Sequence, residues 1–398
     1  MSNVFIQNTT LSAIGDAIRE KTGNSDLILP SKMPEAIDNI PTNNIGKHIW
    51  CEQNISDTVT EDNTSGSYTL TAANRPSSEI EYANVVSDWV QSNQTSSKFN
   101  SVYYANGLWV AGSSSAYGLY YSTDGMTWTQ SNKTSGSFQS VYYANGLWVA
   151  GGSNIGLYYS TDGMTWTQSN VTSGSFYSVY YANGIWVVGK YSGGLYYSTD
   201  GMSWTQSNQT NGTFNSVYYA NGIWVAGYST GLYYSTDGMT WTQSNVTSGG
   251  FMSVYYANGL WVAGGNVGFY YSTDGMTWTQ SNVTSGNFMS IYYANGIWIA
   301  GGRNGLYYST DGMSWSQSNV TNVGFYKVYY GNGIWVAGSS GNGIYYSTDG
   351  MTWTQSNITS GFFRAVYYGN RLWVAGGFSD TVGLYYSKIT QRTLSLTI

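Results

Sequence analysis

The chain has 398 residues and a net charge of −6, with only 9% charged and 17% aromatic residues. An ordinary soluble domain is about a quarter charged, so solubility here rests on Asn, Ser, Thr, Gly and the Tyr hydroxyls. The absence of a Lys/Arg cluster argues against nucleic acid or an anionic membrane as partner, and no apolar run approaches the roughly 18 residues of a spanning helix.

Residues 1–43 hold charges that the rest of the chain nearly lacks: Asp16, Arg19, Glu20, Lys21, Asp26, Lys32, Glu35 and Asp38. Met1 to Asn8 lack the basic segment and apolar run of a secretory signal. Leu11, Ile14 and Ile18 follow Thr9-Thr10 at helical spacing, with Gly23 as a stop. Met33, Ile37 and Ile40 mark a second short helix, with Pro34 in its first turn. Stripes this short make no stable core alone, so this region reads as an assembly element and a candidate trimerisation element. Pro41 to Asn44 is a linker. Between 44 and 86, Ser67–Ala72 and Ile80–Val86 read as strands; with Thr393–Ile398 they are expected to form a small β-module, the tail 389–398 pairing with 44–86.

From residue 87 to 388 the chain repeats itself every 37 to 39 residues. Asn-Gly-(Leu/Ile)-Trp-(Val/Ile) recurs with Trp at 109, 148, 186, 224, 261, 298 and 335, and an eighth copy reads Asn370-Arg371-Leu372-Trp373. Trp-x-Gln-Ser-Asn has its Trp at 89, 128, 166, 204, 241, 278, 315 and 353. Each unit holds four short aromatic and β-branched runs with Asn-Gly and Asp-Gly turn signals between them, which favours strands. Repeats of about 40 residues with four strands predict an all-β, eight-bladed β-propeller. We letter the strands A to D outward from the central channel. The last unit lacks the D phrase, and Trp89 begins one ahead of the first A strand. The N-terminal D strand should therefore complete the eighth blade and remove its open edge.

The phrase Ser-Thr-Asp-Gly-Met-(Thr/Ser)-Trp resembles the Asp-box of sialidase-like and sortilin-like propellers, with one residue fewer between Asp and Gly. It occurs seven times, through Asp124, Asp162, Asp200, Asp237, Asp274, Asp311 and Asp349, and Ser387-Lys388-Ile389 replaces it in the last blade. Its expected role is structural: Asp accepts turn N–H bonds, Gly supplies a positive φ, and Trp packs between blades. Thr10 to Gly23, followed by Met33-Pro34-Glu35-Ala36-Ile37, resembles the N-terminal segment of tail proteins from phages and prophages of Firmicutes-type bacteria. That resemblance covers about a tenth of the chain. It implies a virion tail component, assembled in the bacterial cytoplasm, whose residues 1–43 dock to other tail proteins and which binds a host surface glycan or protein.

The residues offer no evident catalytic constellation, and no cofactor or metal is expected. Beyond residue 88 there is no Glu, and seven of the eight Asp residues occupy one repeated turn position, with Asp380 the eighth. None forms the close carboxylate pair that glycoside hydrolysis uses. Arg303, Arg364 and Arg371 are scattered over different repeat positions, Arg392 lies in the tail, and the lone His48 and Cys51 precede the ring. A nucleophile would have no base beside it. The Asn-x-Ser/Thr of each blade reads as a polar turn. The sixteen ring tryptophans read as packing between blades.

The eight copies differ mainly in the B–C loops and the D–A connections, which share one face in an up-and-down blade. The residue after the conserved Phe reads Asn100, Gln139, Tyr177, Asn215, Met252, Met289, Tyr326 and Arg364. With Tyr117, Tyr191, Tyr228 and Arg303 of the B–C loops, these are the candidate ligand-binding residues, because aromatic and bidentate groups carry most recognition energy. Drift in unconstrained surface loops is the competing account. The readings are a non-catalytic phage tail adhesin or a structural spacer or virion decoration, with a hydrolase disfavoured.

Overall fold

The computed structural model describes residues 67–69, 82–114, 117–379, 381–391 and 395–397. The expected helices of residues 1–43, and His48, Cys51 and Asp380, lie outside them. The chain divides into one unit of residues 1–83 with 391–398 and another of residues 84–390. In the first, Ser67–Thr69 pairs antiparallel with Ser395–Thr397, Tyr68 opposite Leu396.

The second unit is an all-β propeller of eight four-stranded antiparallel blades. In blade 1 the strands are Phe99–Ala105, Leu108–Ser113, Leu119–Ser122 and Thr129–Gln130, paired in chain order. The A–B turn places Asn106 at φ 50° and Gly107 at φ 77°, the geometry of a type I′ hairpin. Strand B is buried along its whole length because strands flank it and neighbouring blades cover both faces. The core accordingly lies between blades. Phe99, Trp109 and Trp128 of blade 1 pack with Leu372, Val374 and Leu384 of blade 8 in one buried cluster.

Two circles of identical contacts run round the ring. At the outer edge, the Asn that ends each Trp-x-Gln-Ser-Asn phrase clasps the backbone of the next blade's Trp. Asn170 accepts from the Trp204 N–H through Oδ1 at 2.8 Å and donates from Nδ2 to its carbonyl at 3.0 Å. The same paired bonds join Asn93 to Trp128, Asn132 to Trp166, Asn208 to Trp241, Asn245 to Trp278, Asn282 to Trp315, Asn319 to Trp353, and Asn357 to Trp89. The Asn read from the sequence as a turn residue is thus a bidentate bridge. Nearer the channel, Tyr103, Tyr142, Tyr180, Tyr218, Tyr255, Tyr292, Tyr329 and Tyr367 contact one another in sequence. Their ring centroids are 4.7 to 5.3 Å apart, and Tyr367 closes on Tyr103 at 4.8 Å.

Closure uses the N-terminal strand. Tyr82–Gln91 pairs with Leu384–Gln391 as the outer strand of blade 8, so Trp89 stands where the other D strands have their Trp. The Ser92 N–H donates to the Leu384 carbonyl at 2.8 Å, and the Leu384 N–H to the Gln94 carbonyl at 2.9 Å. One expectation is corrected. The expected module strand Ile80–Val86 is, from Tyr82 on, part of the D strand, which runs ten residues instead of the usual two; Ile80 and Glu81 lie outside the described residues. Elsewhere the Asp-box turn ends strand C and begins strand D. In blade 8 the two come from opposite ends of the ring's chain, no turn joins them, and both run on.

The outer clasp generates a sign-specific prediction. Asn208→Ala removes two hydrogen bonds at a partly hydrated site and should destabilise by about 1 kcal/mol. Asn208→Asp keeps the acceptor for Trp241 N–H but sets a carboxylate oxygen against the Trp241 carbonyl. It should destabilise more than Ala at pH 7 and less at pH 3. Urea melts of both variants at the two pH values check the crossover.

Candidate functional site

The seven Asp residues are held in their turns by a repeated set of bonds. Asp200 Oδ1 accepts from the Met202 N–H at 2.8 Å and the Ser203 N–H at 2.7 Å, and from the Ser198 hydroxyl at 2.9 Å. The Ser198 Oγ in turn accepts from the Gly201 N–H at 2.8 Å. Gly201 has φ 73°, and a Cβ there would run into Trp186 and into Leu147 of the preceding blade. The Trp204 indole N–H caps the turn on the Gly201 carbonyl at 3.1 Å. Partial burial acts upward on each Asp, but the bonds from the N–H groups and the Ser hydroxyl outweigh it, and the pKa lies below the ordinary value. Each carboxylate is therefore committed to its own turn. Among the described residues, no three His, Cys, Asp or Glu side chains come together.

The variable face is built differently. The D-strand Gln of most blades reaches back to hold the B–C loop: Gln168 donates to the Ile155 carbonyl at 3.0 Å and Gln91 to the Val382 carbonyl at 2.7 Å. Loop backbones are thereby positioned while their side chains remain free to differ. Blades 7 and 8 differ most. Strand B of blade 7 extends over Ile334–Gly341 and strand A of blade 8 over Gly361–Gly369, and Ser340 pairs with Phe362 across the blade boundary. The Phe378 N–H donates to the Phe362 carbonyl at 2.6 Å.

These longer strands assemble an aromatic nest around Arg364. Its guanidinium carbon lies 3.5 Å from the Phe378 ring centroid, 5.2 Å from Tyr326 and 5.3 Å from Phe362. Tyr326 meets Phe362 edge-on at 4.6 Å, and Phe362 meets Phe378 at 5.1 Å. One Arg364 nitrogen, Nη1, reaches Asn100 Oδ1 of blade 1 at 3.4 Å, while Nε is buried with no partner. Burial pulls the Arg364 pKa down, and the Tyr326 hydroxyl acts against it. Tyr177 belongs to blade 3, yet the Arg364 charge lowers its pKa against the larger upward effects of burial and Tyr191. Tyr177 and Tyr191 form an exposed pair with centroids 5.7 Å apart, Tyr191 being 52% exposed.

The remaining candidate residues divide. Asn100 and Asn215 donate to the carbonyls of Phe138 and Phe251 in the next blade, at 3.1 and 3.0 Å, so both bridge blades. Tyr228 lies on Phe214 at 4.7 Å within its own blade. Tyr117, Met252 and Arg303 are exposed, and Gln139 and Met289 are half-buried. Sequence reasoning missed Phe362 as a site residue. A signal existed: the same position holds Lys98, Ser137, Ser175, Thr213, Gly250, Asn287 and Gly324 in the other blades, so Phe362 is the only aromatic there.

No protein-family model and no curated protein matches the chain. Solved structures do match in fold. The computationally designed Ika8 protein superposes with a TM-score of 0.61 at 10% identity, over 75% of this chain and 99% of its own. Sqt1 from Saccharomyces cerevisiae gives 0.60 at 12% identity, over 78% and 100%. YCF48 from Cyanidioschyzon merolae gives 0.52 at 17% identity, over 75% and 98%. At these identities the likeness is one of fold.

The Asp turns make stability pH-dependent. A folded pKa below the unfolded one means the native state binds fewer protons, so the stabilisation is present above about pH 4 and is lost as pH falls through the folded values. Thermal melts between pH 6 and pH 2 should show the midpoint falling below about pH 4, and Asp200→Asn should flatten that fall.

Proposed function

We propose that this propeller is a non-catalytic adhesin of a phage tail, binding a bacterial surface glycan or other host receptor on the B–C/D–A face. The observation that carries the reading is the Arg364 nest: Phe378, Phe362 and Tyr326 surround a guanidinium on one sector of an otherwise nearly uncharged ring. Aromatic faces with a few fixed polar groups suit sugars, which present C–H faces and hydroxyls together. The exposed Tyr177–Tyr191 pair extends the surface from another blade. Non-catalytic binding agrees with the Asp residues, each occupied by its own turn. The tail assignment rests on the resemblance of residues 10–37, with docking to other tail proteins and trimerisation assigned to residues 1–43. A structural spacer is the second reading, favoured by the identity of the clasp and tyrosine circles in every blade.

Fluorescently labelled protein incubated with intact bacterial cells, alongside a glycan array, tests the proposal. Strain-selective labelling is expected. Arg364→Ala combined with Tyr177→Ala should weaken it at least tenfold, since each removes a group of the kind that dominates binding energy. Uniform absence of labelling and of array binding would favour the spacer.

A further inference from the structure

The inner strands carry a second departure from symmetry, in the channel itself. Six blades place a serine two residues after the conserved Phe: Ser101, Ser140, Ser178, Ser216, Ser253 and Ser290. Five of these hydroxyls accept the backbone N–H that the next blade's inner strand turns away from its own sheet. Ser101 takes Val141 N–H at 3.1 Å, Ser178 takes Val217 at 3.0 Å, and Ser216 takes Val254 at 3.2 Å. Ser253 takes Ile291 at 3.0 Å and Ser290 takes Val328 at 3.1 Å.

Blade 7 has Lys327 at this position and blade 8 has Ala365. The register is unchanged: Lys327 lies opposite Gly338 and Ala365 opposite Gly376, as Ser101 lies opposite Gly112. The N–H groups of Val366 and Val102 therefore face a lysine and an alanine, neither of which can accept a hydrogen bond. No described side chain replaces the missing oxygens.

Lys327 is itself unusual. Apart from Arg364, it is the only charged residue on any of the eight A strands. Its side chain is exposed, and desolvation by the surrounding protein lowers its pKa. No described carboxylate pairs with it. The tyrosine circle lies two residues further along the strand at Tyr329, roughly 7 Å deeper at the usual strand rise. A molecule entering from the variable face would meet Lys327 before that circle.

We propose that Lys327 and the free N–H groups of Val366 and Val102 form an anion site in the channel, taking a carboxylate or phosphate carried by the ligand. The anion would lie between the two places left by the missing seryl oxygens, with one oxygen turned toward each N–H, and the ammonium would supply the charge. This deepens the adhesin reading by specifying an acidic group on the receptor, and its test is separate from cell binding. The full-length chain, labelled with nitrogen-15, is titrated with inorganic phosphate, with glucuronate and with glucose, following the Val366 and Val102 amides and the heat of binding. Phosphate or glucuronate should shift both amides saturably, and glucose should not. Preference between the two acids identifies a phosphate-bearing or a carboxylate-bearing source. Lys327→Ser restores the repeat's own acceptor for Val366 N–H. It should keep or raise the melting temperature while weakening acid binding at least tenfold. Unmoved amides in the wild type, or equal acid binding by Lys327→Ser, overturn the proposal. Strain-selective cell labelling that survives Lys327→Ser with unmoved amides leaves the adhesin reading standing alone. Lysine-dependent acid binding with no cell labelling does the reverse.

Discussion

The asparagine clasp is the contact on which the ring depends. A single blade buries neither face, so each exists only against its neighbours, and something must set the angle and height at which neighbours meet. Apolar packing between Trp, Phe and Val side chains supplies most of the free energy but is poorly directional. An amide that both accepts from and donates to one residue's backbone fixes position and orientation together. Eight such clasps, one per boundary, make the outer edge of every interface alike. The circle is complete because Asn357 finds Trp89 and Asn93 finds Trp128, so the N-terminal strand is locked as firmly as any strand inside the repeat.

Uniform boundaries leave the loops free to diverge. The Asp turns sit on the face where the blades are alike, and their carboxylates are spent on local N–H groups. On the opposite face the D-strand Gln holds loop carbonyls, a contact indifferent to side-chain identity. Blades 7 and 8 use that freedom most. A longer strand B, a longer strand A, Phe362, Phe378, Arg364, Lys327 and Ala365 all fall at or beside one blade boundary. Other sectors carry charge in or at the edge of their loops, at Lys98, Lys133, Lys190 and Arg303, but on the inner strands only Lys327 and Arg364 are charged, and both fall in this sector.

Much of this was legible in the chain. Repeat length, Asn-Gly turns, tryptophan spacing and the displaced D phrase predicted blade number, strand order and closure. These are local or counting arguments, and a strand's period and a turn's φ angles are set by neighbouring residues. The functional candidates were legible only as a pool. Comparing copies singled out Tyr326 and Arg364, which do meet, but also Asn100, Asn215 and Tyr228, which turn out to hold blades together or pack on their own blade. Phe362 escaped because a phenylalanine beside another looks like core.

What the sequence alone determined is the ring: eight copies of one pattern, each unable to bury itself, with the missing strand present at the other end. What only the tertiary structure decided is which residues from different copies face one another. The clasp Asn contacts a Trp more than thirty residues away, and Arg364 reaches Asn100 across 264 positions. Lys327 acquires its meaning from an N–H on the next blade that has lost its serine. Such relations depend on the angle at which blades meet, which the folded clasps set and no local pattern encodes.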